Sequence, residues 1–508
     1  MMLRFSSVAL CAASCLAETK TKTMSGTELG LPGSDIQDNV RYEVASTGPF
    51  GSKLYDIVSD TSSYDAPPQL ADLTAASSYE QGYDMGYMMA EPFVSNYNDI
   101  LAYLLGDDWY EPLLAQLFNE FLDWQWDNYL SVQVPEEYFE ELRGLTAGGH
   151  AAGCSEDVGK IASRSVVIGN FPGTLDNLVF IFEDEKEHPP PAYLQRAEKA
   201  LGVEKTRQML ESVKSRWRGL ACSMFGVWGD RTEGGHLYTG RNLDWLPEMG
   251  ISAHKLITVF HPSGGHAHAT VGWAGVWGAI TGMSDQGITV HEANLESDDI
   301  TFRGFPWVLR LRHVMAHSED LDSALSLWNA TNSTVGFNHG VGSRKDGSAV
   351  VMETMHGSSA TFADNDPREQ DLVYKGQQIG APRPEAVYRT NHGYDPYTVE
   401  HFMWNGTANY DFSITRYMLF PELFDSYAAQ GVGSISAREA VNITAIVADK
   451  ADGHLYDCGG GEDGWNILSA TFDTNELAMY TAWENGYGDD YLNAACNTYF
   501  KIDLSKWF

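Results

Sequence analysis

The segment from Arg218 to Trp245 constrains the fold more than any other part of this 508-residue chain. Apolar residues alternate from Cys222 to Trp228, and a Thr-Glu-Gly-Gly turn ends at Gly235. An extended pattern then resumes and runs to Asp244. This pattern is typical of two antiparallel strands joined by a turn. We therefore expect Cys222 to begin one strand and Asp244 to end its neighbour.

The predicted hairpin places a thiol beside two charged groups. A cysteine acts as a nucleophile when a base or a positive environment favours its thiolate. Arg241 would supply the positive charge, and Asp244 would supply a carboxylate on the adjacent strand. The arrangement predicts covalent catalysis with Cys222 as the nucleophile.

Cys222-Ser, a hairpin and then Gly-Arg-Asn-Leu-Asp-Trp together resemble the N-terminal-nucleophile (Ntn) hydrolases that use cysteine. The similar proteins are acid ceramidase and N-acylethanolamine acid amidase, the penicillin acyltransferase-like group, and the bile-salt and penicillin V amidases. In these proteins the cysteine is exposed by autocatalytic cleavage, which implies a cut between Ala221 and Cys222. The resemblance also implies an α+β fold, the four-layer αββα Ntn-hydrolase sandwich.

Cleavage before Cys222 would create the base that the reaction needs. The amide nitrogen of an internal cysteine is not basic, whereas an α-amine has a pKa of about 8, near the value of about 8.5 for a thiol. The amine can accept the thiol proton and later return it to the leaving amine, with an acyl-thioester as intermediate. The mechanism therefore needs no cofactor and no metal.

The resemblance implies roles for five further residues. Asp244 would orient the new ammonium group, and Arg241 would hold the thiolate and the carbonyl side of the substrate. Asn294, which closes a Gly-Ile-Thr-Val strand, and Asn391, in Thr-Asn-His-Gly, would form the oxyanion side. Arg416, in Ser-Ile-Thr-Arg, would buttress the nucleophile.

The chain before Cys222 divides into a leader and a larger region. A basic start, a short apolar run and small residues before Glu18 predict a signal peptide over residues 1–17. Polar residues up to about Ser78 predict an irregular cover with one strand near 41–44. Helical patterns follow from 79 to about 154 and from 192 to 216. A charged Pro-rich break lies at 183–191. We expect residues 18–221 to form a mostly helical N-terminal pro-region or α-subunit.

Residues 222–508 should form the catalytic region or β-subunit. Strands are expected at 255–260, 266–271, 275–281 and 287–294, helices at 306–317 and 321–328, and a strand at 348–355. Helices at 413–430 and 436–447 and strands at 467–471 and 477–483 should follow. This alternation suggests two stacked sheets with helices outside.

The cysteines and sequons agree with passage through an oxidising compartment. After loss of the leader four cysteines remain, and a nucleophilic Cys222 must stay free. We expect a Cys458–Cys496 bridge, with Cys154 unpaired. Candidate glycosylation sites stand at Asn329, Asn332, Asn405 and Asn442. We expect a secreted or lysosomal protein.

The net charge limits the partners of the chain. A formal charge of -36 and the lack of a Lys/Arg run argue against nucleic acid. Beyond the leader, no stretch is apolar enough to predict a membrane span. The expected partner is a small-molecule N-acyl amide, including lipid amides, and the cleaved chains should stay associated as an αβ heterodimer.

Other interpretations of the sequence compete with the Ntn-hydrolase prediction. Papain-like catalysis would use Asn338-His-Gly or Asn391-His-Gly, but the context of Cys222 differs from that of a papain-like nucleophile. His261, His266 and His268 could bind zinc, although they have no obvious fourth ligand. Cys154 lacks a following Arg and Asp hairpin. A non-catalytic secreted glycoprotein, like the phospholipase B-like proteins of this superfamily, is the alternative from another functional class.

We therefore predict an autoprocessed amidohydrolase or acyltransferase. It would cleave a linear, non-peptide carbon-nitrogen bond of an N-acylated amine through a Cys222 acyl-thioester. Fatty N-acyl amides are favoured over β-lactam and peptide substrates.

Overall fold

The computed structural model describes residues 36–60, 64–105, 112–170, 199, 221–245, 249–448, 466–486 and 491–508. The predicted leader, the Pro-rich break, the helix at 192–216 apart from residue 199, and Cys458 lie outside the described residues. The Cys458–Cys496 bridge therefore stays a prediction.

The described residues form strands and helices that alternate along the chain. The strands are β1 (Ile36–Gln37), β2 (Arg41–Thr47), β3 (Lys53–Val58), β4 (Gln69–Leu73), β5 (Ala221–Val227), β6 (Tyr238–Asp244), β7 (Lys255–Phe260), β8 (His268–Trp273), β9 (Thr281–Ser284), β10 (Ile288–Asn294), β11 (Phe337–Ser343), β12 (Ser348–Thr354), β13 (Ser359–Phe362), β14 (Val373–Tyr374), β15 (Gln377–Gln378), β16 (Ala386–Arg389), β17 (Asn466–Asp473), β18 (Ala478–Trp483) and β19 (Tyr499–Asp503). The helices are α1 (Ser78–Leu105), α2 (Pro112–Asn128), α3 (Glu136–Ala151), α4 (Val158–Gly169), α5 (Trp307–His317), α6 (Leu321–Asn329), α7 (Pro396–His401), α8 (Ala408–Ala428) and α9 (Ala437–Val447).

Two sheets form the centre of the fold. The large sheet has ten strands in the order β13-β12-β11-β10-β9-β8-β7-β4-β3-β2. The small sheet has seven strands in the order β1-β19-β18-β17-β6-β5-β16. Neighbouring strands are antiparallel except for β4 with β7 and β1 with β19. β14 and β15 form a separate two-stranded ribbon.

Helices cover the outer faces of the two stacked sheets. β5 and β6 of the small sheet pack against β10 of the large sheet. α8 and α9 lie on the small sheet, and α5 lies on β8, β9 and β10. α1 contacts β4 and packs with α3, and α4 contacts α5. This is the predicted α+β, four-layer αββα sandwich.

The N-terminal region contributes strands to both sheets. β2, β3 and β4 extend the large sheet, and Leu70 of β4 pairs in parallel with Ile257 of β7. Ile36 of β1 pairs with Tyr499 of β19 in the small sheet. The predicted strand at 41–44 is confirmed as the first part of β2, whereas β1, β3 and β4 were not predicted. Residues on the two sides of the predicted cut thus share both sheets.

Glycines bring α1 and α3 unusually close together. A Cβ on Gly82 would lie 2.1 Å from the carbonyl oxygen of Glu141, and a Cβ on Gly148 would lie 1.9 Å from that of Tyr83. No side chain fits at either position without separating the helices. Gly82 and Gly148, both before Cys222 in the chain, therefore allow the close contact between α1 and α3.

The hairpin and most later elements confirm the sequence predictions. β5 and β6 are antiparallel, and Ala221 pairs with Asp244. The predicted strand at 275–281 is wrong before Thr281, because Gly275 and Gly278 adopt positive φ and turn the chain. β11 contains Asn338, His339 and glycines, so its sequence resembles a loop although every residue is buried.

The cysteines and sequons fall in different surroundings. Cys154 and Cys222 are both free thiols, as predicted. The sequon residues Asn329, Asn332 and Asn405 are exposed, whereas Asn442 is half-buried within α9. Among the described residues, no helix has the length and hydropathy of a membrane span.

Candidate active site

Cys222 lies near the start of β5, facing the gap between the two sheets. Its side chain is 0 % exposed, and all residues of β5 and β6 are buried. Arg241 of β6 donates from Nη2 to Sγ at 3.3 Å. On the opposite sheet, Glu292 of β10 places Oε2 3.9 Å from Sγ. The thiol thus has one cationic and one carboxylate neighbour.

Arg241 and Glu292 form a buried ion pair across the gap. Arg241 Nη2 donates to Glu292 Oε1, and its Nε donates to the Glu292 carbonyl at 3.3 Å. Both side chains are fully buried. Glu292 is absent from the sequence prediction, although its position two residues before Asn294 on β10 places both on one face of the strand. The sequence signal that could have identified Glu292 is an acidic residue inside a buried strand.

Asn391 and Arg416 hold the backbone of the nucleophile. The Cys222 N–H donates to Asn391 Oδ1 at 2.9 Å, and Asn391 Nδ2 donates to the Asn294 carbonyl at 2.7 Å. Arg416 of α8 donates from Nη1 to the Cys222 carbonyl and from Nη2 to Asn391 Oδ1 at 2.6 Å. Both peptide groups of Cys222 are therefore fixed by side chains from the chain's later segments.

Asp244 joins the same network from the end of β6. Arg416 Nη1 lies 3.5 Å from Asp244 Oδ2, and Asn466 Nδ2 donates to Oδ1 at 2.9 Å. Burial raises the pKa of the Asp244 carboxyl, while Arg416 and the Asn466 hydrogen bond oppose that rise. Asn466, on β17, is a second partner that the sequence prediction missed.

Asn294 ends β10, two residues after Glu292. Its backbone N–H lowers the pKa of the Cys222 thiol. Its side-chain Nδ2 is buried and has no acceptor among the described residues. A buried amide donor without an acceptor is costly unless a ligand or water binds there. The site thus has an N–H group available for an oxygen that develops negative charge.

The electrostatics of the site keep Cys222 protonated in the uncut chain. Burial raises the pKa of the thiol well above its usual value, Glu292 adds to the rise, and Arg241 opposes it. Burial also raises the pKa of Glu292, to about 7, against the effect of Arg241. Glu292 is therefore a carboxylate of unusually high proton affinity next to a thiol that needs a proton acceptor.

An apolar cavity begins beside Glu292 and lies between the two parts of the chain. Tyr97 and Val166 line it from helices before residue 221, and Trp273 and Val308 line it from elements after that residue. Glu292, the carboxylate that contacts Cys222 Sγ, also lines it. Such a cavity suits an apolar group attached to a reacting carbonyl.

The residues of the alternative site predictions do not come together around Cys222. Within the described residues, Sγ contacts Arg241 and Glu292, and neither His339 nor His392 is among its partners. His261 contacts Asp72, His266 contacts Asp285, and His268 stacks on Phe260, so the three histidines do not converge. Cys154 lies in a turn after α3, apart from this network.

The structure brings all six predicted site residues into one buried network. Cys222, Arg241 and Asp244 come from the hairpin, Asn294 from the facing sheet, Asn391 from the segment after β16, and Arg416 from α8. Their catalytic roles stay predictions. Ala221 continues β5 on the N-terminal side of Cys222, so the predicted cleavage bond lies inside a strand.

Comparisons with known proteins match the part of the chain that contains most of these site residues. The family model described as AAT, acyl-coenzyme A:6-aminopenicillanic acid acyl-transferase, matches residues 231–487 and so spans half of the chain. The match includes Arg241, Asp244, Asn294, Asn391 and Arg416 and begins after Cys222.

Sequence relatives match parts of the chain. Proteins dcd1B and dcd1A of Dictyostelium discoideum are each 28% identical, over 149 and 157 residues. Each match covers 29% of this chain and 30% or 36% of the relative, so the chain spans about a third of their length. An uncharacterized protein of Archaeoglobus fulgidus is 23% identical over 284 residues, or 54% of this chain and 42% of the relative.

Solved structures similar to this one include two enzymes. A Caenorhabditis elegans ortholog of N-acylethanolamine-hydrolyzing acid amidase aligns with a TM-score of 0.33 and 14% identity, over 50% of this chain and 93% of that one. A mutant of conjugated bile acid hydrolase from Clostridium perfringens aligns with the same TM-score and identity, over 56% and 93%.

Proposed function

Since the chain belongs to the acyl-coenzyme A:6-aminopenicillanic acid acyl-transferase family, we propose that it is a self-cleaving Ntn amidohydrolase or acyltransferase with Cys222 as nucleophile. The observation that carries the proposal is the buried contact of Cys222 Sγ with Arg241 and Glu292. A thiol between a guanidinium and a carboxylate has both a group to stabilise its anion and a group to accept its proton.

Self-cleavage would begin with Glu292 as the base. The Sγ proton passes to the Glu292 carboxylate, and the thiolate attacks the carbonyl carbon of Ala221. The Ala221–Cys222 carbon–nitrogen bond then breaks, and Glu292 returns the proton to the nitrogen of Cys222. Water hydrolyses the resulting thioester, which leaves a carboxylate on Ala221 and a free thiol and α-amine on Cys222.

The new amine would then act as the base for substrate. It accepts the Sγ proton, and the thiolate attacks the amide carbonyl of the substrate. The carbonyl oxygen becomes negative near the unpaired Asn294 Nδ2, which can donate to it. The carbon–nitrogen bond breaks, the leaving amine takes the proton, and the acyl group remains as a thioester on Sγ. Water or a second amine resolves this thioester.

Asn391, Arg416 and Asp244 would hold the amine in place. The nitrogen that becomes the amine already donates to Asn391 Oδ1, and Arg416 links Asn391 to Asp244. A carboxylate near an ammonium group raises its pKa, and a nearby arginine lowers it. The set thus positions and tunes the base without a histidine.

The cavity lined by Glu292 supports a proposal for the substrate class. Its walls are mainly aromatic and aliphatic, and Glu292 is the carboxylate among them. We propose an N-acyl amide whose acyl chain enters this cavity, with fatty acyl groups favoured. We also propose that the chain is secreted or lysosomal and that the cut chains remain together as an αβ heterodimer.

The test is N-terminal sequencing of the purified protein followed by an assay against N-acyl amides of increasing acyl length. We expect a second N-terminus that begins Cys222-Ser-Met-Phe and turnover only in the cut protein. The Cys222→Ala variant should remain uncut. A wild-type chain that stays uncut and inactive would instead support a binding protein with this fold.

A further inference from the structure

Three side chains on the outer face of the large sheet converge at a second site. His313 and His317 are four residues apart on α5, so they lie on the same face of the helix. Glu137, in the first turn of α3, reaches between them. Its Oε1 is 3.1 Å from His317 Nε2 and 3.5 Å from His313 Nδ1, and the three ligand atoms lie within 4.8 Å of one another.

These distances match the spacing of ligands around a tetrahedral ion. Zinc binds imidazole nitrogen and carboxylate oxygen at roughly 2.0–2.1 Å, so two ligands in a tetrahedron are separated by about 3.3 Å. Both measured separations from Glu137 Oε1 lie close to that value. Two histidines and one glutamate also form a donor set that zinc uses in proteins, with the fourth position open to water.

The three side chains are partly buried and still accessible to solvent. Glu137, His313 and His317 are 29 %, 21 % and 26 % exposed. The imidazole rings of the two histidines are 4.4 Å apart, and His313 packs 5.6 Å from Phe305. A small ion and a water molecule can therefore enter, while the protein restricts the orientations of the rings.

The nearest positive charge is already neutralised. Arg312, next to His313 on α5, is buried and donates to both carboxylate oxygens of Glu141, at 3.0 and 2.6 Å. Trp277 Nε1 also donates to Glu141 at 2.6 Å. Arg312 thus has its own carboxylate partner, which leaves Glu137 as the anionic ligand for a cation.

We propose that Glu137, His313 and His317 bind a divalent transition-metal ion of the zinc type and that this ion ties α3 to α5. The two helices belong to opposite sides of the Ala221–Cys222 bond. An ion at this site would therefore fasten the N-terminal part to the C-terminal part through side chains that do not contact Cys222 Sγ. The proposal does not depend on self-cleavage or on amidase activity.

The full chain carrying Cys222→Ala is dialysed against Zn²⁺, desalted, and analysed for bound zinc by mass spectrometry. We expect one Zn²⁺ per chain, and we expect its loss in Glu137→Gln and in His317→Gln. His261→Gln is the matched control, since His261 also pairs with a carboxylate, Asp72, at 2.9 Å and is 27 % exposed. This control should keep the zinc.

A second measurement covers the case in which a variant fails to fold. Wild-type protein loaded with Co²⁺ should show the intense visible absorption of a tetrahedral cobalt site, and equimolar Zn²⁺ should remove it. The melting temperature of the wild type should rise with Zn²⁺ and fall again with a chelator. Absence of bound zinc and of the cobalt spectrum, or zinc retained by the Glu137→Gln and His317→Gln variants, would overturn the proposal and leave Glu137 as an ion-pair partner of the two histidines.

Discussion

Asn391 Oδ1 accepts the backbone N–H of Cys222 at 2.9 Å, although 169 residues separate the two in the chain. Asn391→Ala removes this acceptor and leaves both the Cys222 N–H and Arg416 without it. An unsatisfied buried group costs about 1–3 kcal/mol. We expect kcat/KM to fall roughly 10- to 100-fold, as that energy implies, in a steady-state assay of cut protein. Asn405→Ala, at an exposed position, should leave kcat/KM unchanged.

Glu292→Gln should slow self-cleavage and change its dependence on pH. The pKa of Glu292 is raised to about 7 by burial, so its carboxylate form accumulates as pH rises through about 7. If this carboxylate is the base, the rate in the wild type should rise over that range and then level. In the variant it should be about 10²- to 10⁴-fold lower and lack that rise. Time courses of band cleavage in gels measure both rates, and an unchanged rate in the variant would exclude Glu292 as the base.

The same carboxyl group should affect stability. Its pKa is higher in the folded than in the unfolded chain, so its contribution is fully present below about 4.5 and is lost as pH rises through about 7. The free energy of unfolding of Cys222→Ala should therefore decrease over this interval more steeply than that of the same protein with Glu292→Gln.

Arg416→Met should destabilise the fold more than Asp244→Asn. Loss of Arg416 leaves the buried Asp244 carboxylate without its cationic partner, which costs about 3–5 kcal/mol for a buried pair. Asp244→Asn keeps the shape, and Arg416 keeps its hydrogen bonds to the Cys222 carbonyl and to Asn391, so we expect a smaller change. Denaturant unfolding of uncut protein measures both, and the double variant should be more stable than Arg416→Met alone.

Gly148→Ala should weaken the contact between α1 and α3. The added Cβ would lie 1.9 Å from the Tyr83 carbonyl oxygen, so the helices must separate. Overpacking of this kind costs about 1–3 kcal/mol. Gly169→Ala is the control, since no atom lies within 4 Å of its added Cβ. The difference in melting temperature between the two variants measures the effect, and equal values would contradict it.

Val166→Phe should shorten the acyl chains that the enzyme accepts. Val166 lines the apolar cavity from α4, and a larger side chain would occupy part of it. We expect KM for long-chain amides to rise and KM for short-chain amides to stay constant. Val132→Phe, at a position 70 % exposed, is the control. A rise in KM that does not depend on chain length would place the acyl group elsewhere.

The hairpin and its charged residues were predictable because local patterns determine them. The turn at Gly235 and the alternation on each side specify register, and the register decides which residues flank Cys222. Glu292 was not predictable in the same way, because its contact with Cys222 joins two sheets and no local pattern reports the pairing of their faces. Asn466 was missed for a similar reason, since it reaches Asp244 from a strand 222 residues later.

The N-terminal strands show a second limit of local patterns. The edge strand β2 was predicted in part, but the exposed and half-buried residues of its neighbour β3 conceal the alternation that identifies a strand. β4 is mostly buried but has only five residues. Its parallel pairing with β7 depends on a segment far along the chain, so the sequence of either strand alone does not predict it.

The place of the Ala221–Cys222 bond decides how activation can be controlled. Ala221 is 7 % exposed and Cys222 is 0 % exposed, and both pair with β6 at the start of a strand that has a neighbour on each side. A separate protease binds an extended segment that leaves the surface, which this bond does not offer. If the chain cuts this bond itself, activation is an intramolecular reaction, and its rate does not depend on enzyme concentration. Folding then serves as a checkpoint, because a chain that has not closed its two sheets over Cys222 brings no Glu292 to the thiol and stays inert.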